Sequence, residues 1–263
     1  MKIIVLVKQV PDTTEVQLDP KTGNLIREGI ESIMNPDDRH AVEAAVGLKE
    51  TLQARVTAVS MGPPQAVDVL SEAIGMGVDE GILLSDRAFA GADTWATSTT
   101  LGRAVEVIGD YDLVICGRQA IDGDTAQIGP QVADYLRIPH VSYVSGIESV
   151  EADALVVRRR LEDGFERIRC SMPALLTVIG ELNIPRYPHV GRLIDACREK
   201  APIKVWNVAD LGLKTAEVGL EGSLTHVIKT FAPKFQRRSE ILQGDTRTVV
   251  SGLLDRLKEI RVI

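Results

Sequence analysis

Short apolar runs alternate with helix-like segments through the first 145 residues of the chain. The first run, residues 2–8, is rich in β-branched residues and is typical of a strand covered on both faces. Further strands are predicted at 56–60, 81–84, 113–116 and 141–144, and helices between them at about 36–52, 63–75, 93–108 and 127–136. This alternation predicts an α/β fold, a doubly wound parallel sheet with helices on both faces and the strand order 3-2-1-4-5.

The pattern changes near residue 146, where antiparallel strands are predicted. Antiparallel strands predicted at 154–160 and 165–170 flank the hairpin signal Glu162, Asp163 and Gly164. They are followed by an apolar strand at 173–179, a short helix at about 192–198 and a final amphipathic helix at about 245–260.

Two regions follow from this change of pattern. We predict an α/β domain over residues 1–222, with a parallel core to about 145 and an antiparallel extension over 146–222. The weakly periodic residues 223–263 are predicted to form a C-terminal arm that binds a partner.

A long polar segment, residues 9–35, separates the first strand from the first helix. Such a length is unusual inside a compact domain and suggests function, and short hairpin pieces are expected within it. Asn35 is predicted to cap the helix, with Pro36 at its first position and Asp37 and Asp38 favouring its positive end.

Composition narrows the classes of function. Thirty Lys and Arg residues against 37 Asp and Glu residues give a net charge of -7, which argues against nucleic acid and anionic membranes as partners. The apolar run at residues 3–7 is far shorter than the ~20 residues of a membrane span, so no membrane insertion and no export are expected. Three cysteines without a CxxC motif fit a reducing cytoplasm and support neither a disulfide framework nor a zinc site.

Ligands of an open parallel sheet bind where the strand order reverses, here between the first and fourth strands. Two loops lie there, residues 8–12 and residues 117–127. The second has glycine at both ends of its turn and a threonine beside a helix start, which suits a pyrophosphate. An ordinary polar crossover loop is the alternative interpretation.

Thr94 and Thr97 lie three residues apart on the first turn of the predicted third helix. Two hydroxyl groups at a helix N-terminus suit a phosphate. The alternative is plain N-capping by Asp93, with the threonines at indifferent positions.

Several catalytic and binding motifs are absent from the sequence: GxxxxGK[ST], GxGxxG after a strand, GxSxG and HExxH. The four histidines are scattered. A P-loop NTPase, a nucleophile-elbow hydrolase and a zinc enzyme are therefore excluded, and no catalytic or metal-binding residue is predicted.

Four stretches of the chain resemble the beta subunit of an electron-transfer flavoprotein: residues 5–12, 34–38, 117–127 and 157–177. The last stretch matches the family signature at each constrained place, and the similarity covers essentially the whole length. The constrained places are Arg159, Glu162, Asp163, Gly164, Glu166, Ile168, Pro173, Leu175, Leu176 and Thr177.

The resemblance implies a Rossmann-like domain that holds an adenine nucleotide, within an obligate heterodimer with an alpha subunit. The nucleotide is a structural AMP in respiratory members and a second FAD in electron-bifurcating members. The implied pocket residues are Leu6, Asn35, Pro36, Asp37, Asp38, Met61, Gly117, Arg118, Gln119, Ala120, Ile121, Asp122, Gly123, Asp124, Thr125, Ala126, Gln127 and Ile128.

Residues 183–190 resemble the loop by which the family docks acyl-CoA dehydrogenases. The docking residues implied by this likeness are Pro185, Arg186, Tyr187 and Val190. Val190 stands where other members have a leucine anchor.

Residues 92–98, together with Gly123, Asp124 and Thr125, look like the bifurcating members, and Thr94 and Thr97 could supply the extra donors that a diphosphate needs. The resemblance then implies FAD, with AMP as the alternative. It further implies oxidation of NADH, with electrons passed to ferredoxin or flavodoxin and, through the alpha subunit, to an acyl-CoA dehydrogenase.

Two other classes of function would require different features. An adenylating enzyme would need a Gly/Ser-rich phosphate loop after the first strand, where the chain has Lys8, Gln9, Val10 and Pro11. A nucleotide-sensing regulatory protein would have no flavin and no obligate partner, so a colourless homodimer would support it.

Overall fold

The structure is a computed structural model that describes residues 1–12, 31–198, 201–228 and 239–262. The predicted hairpin pieces in the polar segment are present at its two ends, where residues 9–11 and 32–34 pair antiparallel; residues 13–30 lie outside the described part. The strands are β1 (Lys2–Leu6), β2 (Gln9–Pro11), β3 (Ser32–Met34), β4 (Arg55–Met61), β5 (Glu80–Leu84), β6 (Leu113–Gly117), β7 (His140–Val150), β8 (Ala154–Arg160), β9 (Phe165–Ser171), β10 (Ala174–Val178) and β11 (Ile203–Trp206).

The helices are α1 (Pro36–Leu52), α2 (Val67–Met76), α3 (Thr94–Ile108), α4 (Ile128–Leu136), α5 (Val190–Ala196) and α6 (Thr246–Glu259). The first five lie in one compact unit, Met1–Val227, and α6 lies in a second unit, Ile228–Ile263. No helix in the described ranges is both long enough and apolar enough to cross a bilayer.

A nine-stranded sheet in the order β11-β5-β4-β1-β6-β10-β7-β8-β9 forms the centre of the first unit. Alternate side chains of β1 point to opposite faces. Ile3 and Val5 belong to the apolar layer formed with α1 and α2, whereas Ile4 and Leu6 belong to the layer formed with α3 and α4. The prediction of a doubly wound, mostly parallel sheet is confirmed.

The position of β10 differs from the predicted order. The fifth predicted strand, now β7, does not pair with β6, because β10 lies between them and is parallel to both. All five residues of β10 are buried, while most of β9 is exposed. A fully apolar strand needs cover on both faces, so it occupies the interior of the sheet and the hairpin β8-β9 takes the edge.

The opposite edge carries a strand that the sequence pattern did not predict. β11 pairs in parallel with β5 at the edge of the sheet, and the burial of its four residues does not alternate. Four residues between polar neighbours give too short a pattern to recognise.

Candidate functional site

The loops that follow β1 and β6 meet at the carboxyl edge of the sheet. The two strands are direct neighbours, with Leu6 beside Cys116. The start of α1 reaches the same place, since the Asn35 backbone N–H donates to the Lys8 carbonyl at 2.9 Å. The predicted switch point is therefore the place where these three segments come together.

Asp38 joins the two loops through its carboxylate. The residue is only 6% exposed. Its Oδ2 accepts from the Lys8 backbone N–H at 2.8 Å, and its Oδ1 accepts from the Gly117 backbone N–H at 3.0 Å. Burial raises the pKa of Asp38 to about 7; the Asn35 side chain and the two N–H donors limit the rise, and the Asp37 carboxylate adds to it.

Asn35 uses its side chain to hold the loop after β6. Nδ2 donates to the Gln119 carbonyl at 2.9 Å, and Oδ1 accepts from the Ile121 N–H at 3.1 Å. Within the described residues its side chain makes no capping bond to α1, although Pro36 does occupy the first turn as predicted. The prediction that the Asn35 side chain caps the helix is therefore wrong, because the loop backbone takes both of its polar atoms.

Ion pairs hold the rim of the site. The Lys8 ammonium contacts both carboxylate oxygens of Asp122, at 2.7 and 2.8 Å. Arg118 Nε lies 3.5 Å from Asp37 Oδ2. Burial raises the pKa of Asp37, and Arg118 opposes that rise. The crest of the loop, residues 121–125, is exposed.

The end of this loop directs backbone N–H groups toward one concavity. Asp124 and Ala126 have φ of +51° and +54°, and Gln127 returns to the right-handed region with φ −99° and ψ −27°. Such alternation of hand makes successive N–H groups converge on an anion. Gln127 precedes α4 and, in the part of the chain described, gives it no side-chain cap. The first-turn N–H groups of α4 therefore fit a phosphate.

Helix α3 places a hydroxyl group beside this concavity. Thr94 Oγ1 donates to Gln127 Oε1 at 2.9 Å, and Gln131 Nε2 lies 3.4 Å from the same hydroxyl. Thr97 follows within the next turn of α3. Asp93 caps the helix, its Oδ1 accepting from a first-turn N–H at 2.9 Å. The structure thus brings Thr94 to the loop and also bears out capping by Asp93.

Two residues that the sequence did not indicate, Ser223 and Thr225, bond to Asp93 at this end of α3. Asp93 Oδ2 accepts from both the N–H and the hydroxyl of Thr225, at 2.9 and 2.8 Å. The Asp93 backbone N–H donates to Ser223 Oγ at 2.8 Å. These partners are about 130 positions away along the chain, and neither belongs to a local pattern that could have indicated the contact.

The floor of the site is apolar. Leu6 and Met61 end the adjacent strands β1 and β4, and Ile128 begins α4; all three belong to the layer beneath α3 and α4. The predicted pocket residues from β1, β4 and the loop after β6 therefore lie on one edge of the sheet.

A cleft of about 670 Å³ opens beside Asp37 and Arg118. Tyr143 lines it from β7 with a left-handed φ of +60°, and the Arg118 Cζ atom lies 5.7 Å from the centre of its ring. The sequence did not indicate Tyr143 as a lining residue, because a strand pattern does not show which residue has a left-handed backbone conformation. The remaining lining residues are Arg159, Arg160, Leu161, Glu162, Ile179, Gly180 and Glu181.

Residues 183–190 are the segment that the resemblance predicts to dock a dehydrogenase, named the docking segment below. They lie on α1 and α2 away from the loop after β6. Tyr187 is 95% exposed, and Val190, the first residue of α5, is 69% exposed. Pro185 is half-buried. Arg186 differs from these residues because its guanidinium is held by Glu43 and Glu50 of the same chain.

Comparison with known proteins identifies similar sequences over the whole chain. The family profile described as "Electron transfer flavoprotein domain" matches residues 22–211. A relative from Thermoanaerobacterium thermosaccharolyticum, named electron transfer flavoprotein subunit beta, is 51% identical over 263 residues and covers 100% of both chains.

Two further relatives are named after reductase complexes. Caffeyl-CoA reductase-Etf complex subunit CarD of Acetobacterium woodii is 49% identical, with 100% of each chain covered. Acryloyl-CoA reductase electron transfer subunit gamma of Anaerotignum propionicum is 42% identical, again with 100% of each chain covered.

Asp38 makes the stability of the chain depend on pH. Burial holds the pKa of Asp38 at about 7 in the folded chain, above the ordinary carboxyl value of 3.8, so its contribution to the free energy of unfolding is fully present below pH ~4 and is lost as the pH rises to 7. The expected slope is about 1.4 kcal/mol per pH unit inside this window. Urea unfolding at several pH values measures it.

Asp38→Asn should remove this slope, while the exposed control Asp68→Asn should retain it. Asparagine can accept only one of the two N–H groups, so the variant is also expected to be less stable overall. An unchanged slope in Asp38→Asn would contradict the assignment.

Proposed function

The chain belongs to the electron transfer flavoprotein family as a beta subunit, and we therefore propose that it binds FAD in the site between β1 and β6 and takes part in electron bifurcation. In this proposal NADH is the hydride donor. Ferredoxin or flavodoxin receives one electron, and an acyl-CoA dehydrogenase receives the other through the alpha subunit.

The link from Thr94 through Gln127 to the first turn of α4 is the observation that carries the choice of FAD. AMP has one phosphate, which the N–H groups of the loop and α4 could satisfy alone. FAD has a diphosphate and needs a second group of donors. Thr94 and Thr97 lie on the neighbouring helix α3. The Thr94 hydroxyl, which donates to Gln127 Oε1 here, would donate to the second phosphate instead, and the Thr97 hydroxyl three residues later would be a further donor.

The residues of this site bind and orient; none is required as an acid or base. FAD, when bound, supplies the hydride and single-electron chemistry. The backbone N–H groups of residues 126–128 would hold a phosphate, and Asp38 and Asn35 would keep the loop in shape around it. The apolar floor made by Leu6 and Met61 suits the adenine end of the nucleotide.

Partners are proposed from the names of the relatives. Two of those proteins are named as parts of CoA-ester reductase complexes, which supports an acyl-CoA dehydrogenase as the acceptor. We assign its contact to the docking segment, where Ile184 and Tyr187 are more than 90% exposed. Solvent would contact these apolar side chains in the isolated chain, so a protein partner that covers them gains binding energy.

The arm that begins near residue 223 is proposed to bind the alpha subunit. Within the second compact unit, α6 has Val250, Leu253 and Leu254 exposed at helical spacing. Asp245 caps this helix, its Oδ1 accepting from the Thr248 N–H at 2.8 Å. A capped helix with an exposed apolar stripe is typical of a segment that packs on another protein.

We predict that Thr94→Val together with Thr97→Val lowers flavin occupancy of the heterodimer from two FAD toward one, because the second phosphate loses its hydroxyl donors. Released nucleotides are separated by chromatography and counted per heterodimer. Thr99→Val is the matched control, since residue 99 lies about 200° around α3 from residue 97. One FAD and one AMP in the wild type would refute the FAD assignment and leave the family assignment intact.

Truncation after Val227 should weaken binding of the alpha subunit, because it removes residues 228–263 of the arm and leaves Ser223 and Thr225 in place on Asp93. Sedimentation of mixed subunits gives the affinity. In the full chain, Leu253→Glu should also weaken binding of the alpha subunit. Ser251→Glu, on another side of α6, should leave this binding unchanged. Equal affinities of the truncated and full chains would disprove the role of the arm.

Val190→Asp should impair electron transfer to the dehydrogenase without loss of bound nucleotide. A charge placed in an apolar contact costs a few kcal/mol when it is buried. The rate is followed as a function of dehydrogenase concentration. Val205→Asp, at an equally exposed valine on β11, is the control, and an unaltered KM for Val190→Asp would exclude this surface.

A further inference from the structure

Arg186 is bound on two sides by carboxylates of helix α1. Its Nε and Nη2 donate to the two carboxylate oxygens of Glu43, at 2.8 and 3.0 Å. The other edge of the guanidinium reaches Glu50, with Nη2 at 3.1 Å from Oε2. The Arg186 backbone N–H also donates to Glu43, at 3.0 Å. Glu43 therefore holds both the main chain and the side chain of one residue.

The arrangement depends on the shape of the guanidinium. Glu43 and Glu50 are seven residues apart, so they lie on one face of α1, two turns from each other. A planar guanidinium has donors on two edges, so it can bond to each carboxylate through two nitrogens at once, which a lysine ammonium cannot do. The side chain of Arg186 is 34% exposed and that of Glu43 is 15% exposed, so one of the two pairs is largely shielded from solvent.

Further contacts hold the docking segment on either side of Arg186. Asn183 Nδ2 donates to the His40 carbonyl at 2.9 Å, and its Oδ1 lies 3.0 Å from His40 Nδ1. The His189 N–H donates to the Gly75 carbonyl of α2 at 2.9 Å. Gly75 also allows the segment to approach closely, because a Cβ there would lie 2.9 Å from Pro188 Cβ.

Ile184 and Tyr187, which flank Arg186 in the segment, make few such contacts and are 92% and 95% exposed. The segment is thus fixed by its polar residues and presents its apolar residues outward. Its anchor is the helix whose first turn carries Asp38 of the nucleotide site.

We propose that Arg186 is a positioning residue for partner docking: by bonding to Glu43 and Glu50 it holds the docking segment in its binding conformation on α1. The inference rests on the proposed docking role of this segment. The bonds of Arg186 preorganise the docking segment. Binding to a segment that is already ordered loses less conformational entropy. Arg186 itself does not reach the partner in this arrangement, because both edges of its guanidinium are occupied.

The alternative role for Arg186 is a direct ion pair with a carboxylate of the partner. The two roles make opposite predictions for the glutamates. If Arg186 is an anchor, neutralising Glu43 and Glu50 loosens the segment and weakens docking. If it is a direct contact, neutralising them frees the guanidinium and leaves docking intact or strengthens it.

The experiment uses the intact heterodimer with an acyl-CoA dehydrogenase as the electron-transfer partner. KM for the dehydrogenase, the limiting rate, bound nucleotide and hydrogen exchange of the 184–189 amides are measured. Arg186→Gln should raise KM about ten-fold, equivalent to about 1.4 kcal/mol, at an unchanged limiting rate and nucleotide content, and should speed exchange in the segment. The double variant Glu43→Gln with Glu50→Gln should also raise KM and speed exchange in the segment. Arg186→Lys should give a KM between those of the wild type and Arg186→Gln.

Arg198→Gln is the matched control, because Arg198 follows α5 close to Val190 in sequence and pairs only with Asp195 among the described residues. It removes the same charge without touching the anchor, so neither KM nor exchange should change. If Val190→Asp raises KM and Arg186→Gln leaves it unchanged, the positioning role of Arg186 is wrong, whereas the docking role of the segment is supported. A raised KM in Arg186→Gln with an unchanged or lowered KM in the double glutamate variant assigns Arg186 to direct contact and also overturns the anchor. If neither Arg186→Gln nor Val190→Asp changes KM, the docking role and the anchor both fall.

Discussion

The candidate nucleotide site depends on one buried carboxylate. Asp38 accepts the backbone N–H of Lys8 after β1 and that of Gly117 at the end of β6. Both amides lie where a strand ends and the sheet can no longer supply partners, and an unpaired buried N–H is costly. A short acidic side chain on the first turn of α1 satisfies both at once, and it also lies at the positive end of that helix. Once Asp38 has joined the two loops, Asn35 and the pair of Lys8 with Asp122 can hold the loop after β6 in one shape.

Helix α1 connects the two functions proposed for this beta subunit. Its first turn holds the nucleotide site through Asp38, and its later turns hold the docking segment through Glu43 and Glu50. A helix buried along one face against β1 and β6 is rigid, because its apolar side chains are close-packed with those of the sheet. The distance between a bound nucleotide and the docking surface is then set by the length of one helix.

The proposal of FAD over AMP rests on a small part of the chain. Membership of the electron transfer flavoprotein family follows from similarity over the whole length, and the proposal gives the loop after β6 a phosphate of either nucleotide. The additional donors are on α3, where Thr94 is joined to that loop by Gln127. Asp93 at the start of the same helix binds Ser223 and Thr225, so the end of the first compact unit is attached beside those donors.

The sequence by itself determined the elements that depend on local patterns. Apolar runs indicate the buried strands, Pro36 indicates the start of α1, and Asp93 indicates the start of α3. The switch point then follows from the alternation of strands and helices. The tertiary structure decided what depends on pairing across the chain. In the folded chain β10 lies between β6 and β7, the Asn35 side chain bonds to the loop after β6 and not to its own helix, and Arg186 pairs with a glutamate of α1. Each of these outcomes is a competition for a partner that is distant in sequence, and a local pattern contains no information about which distant partner wins.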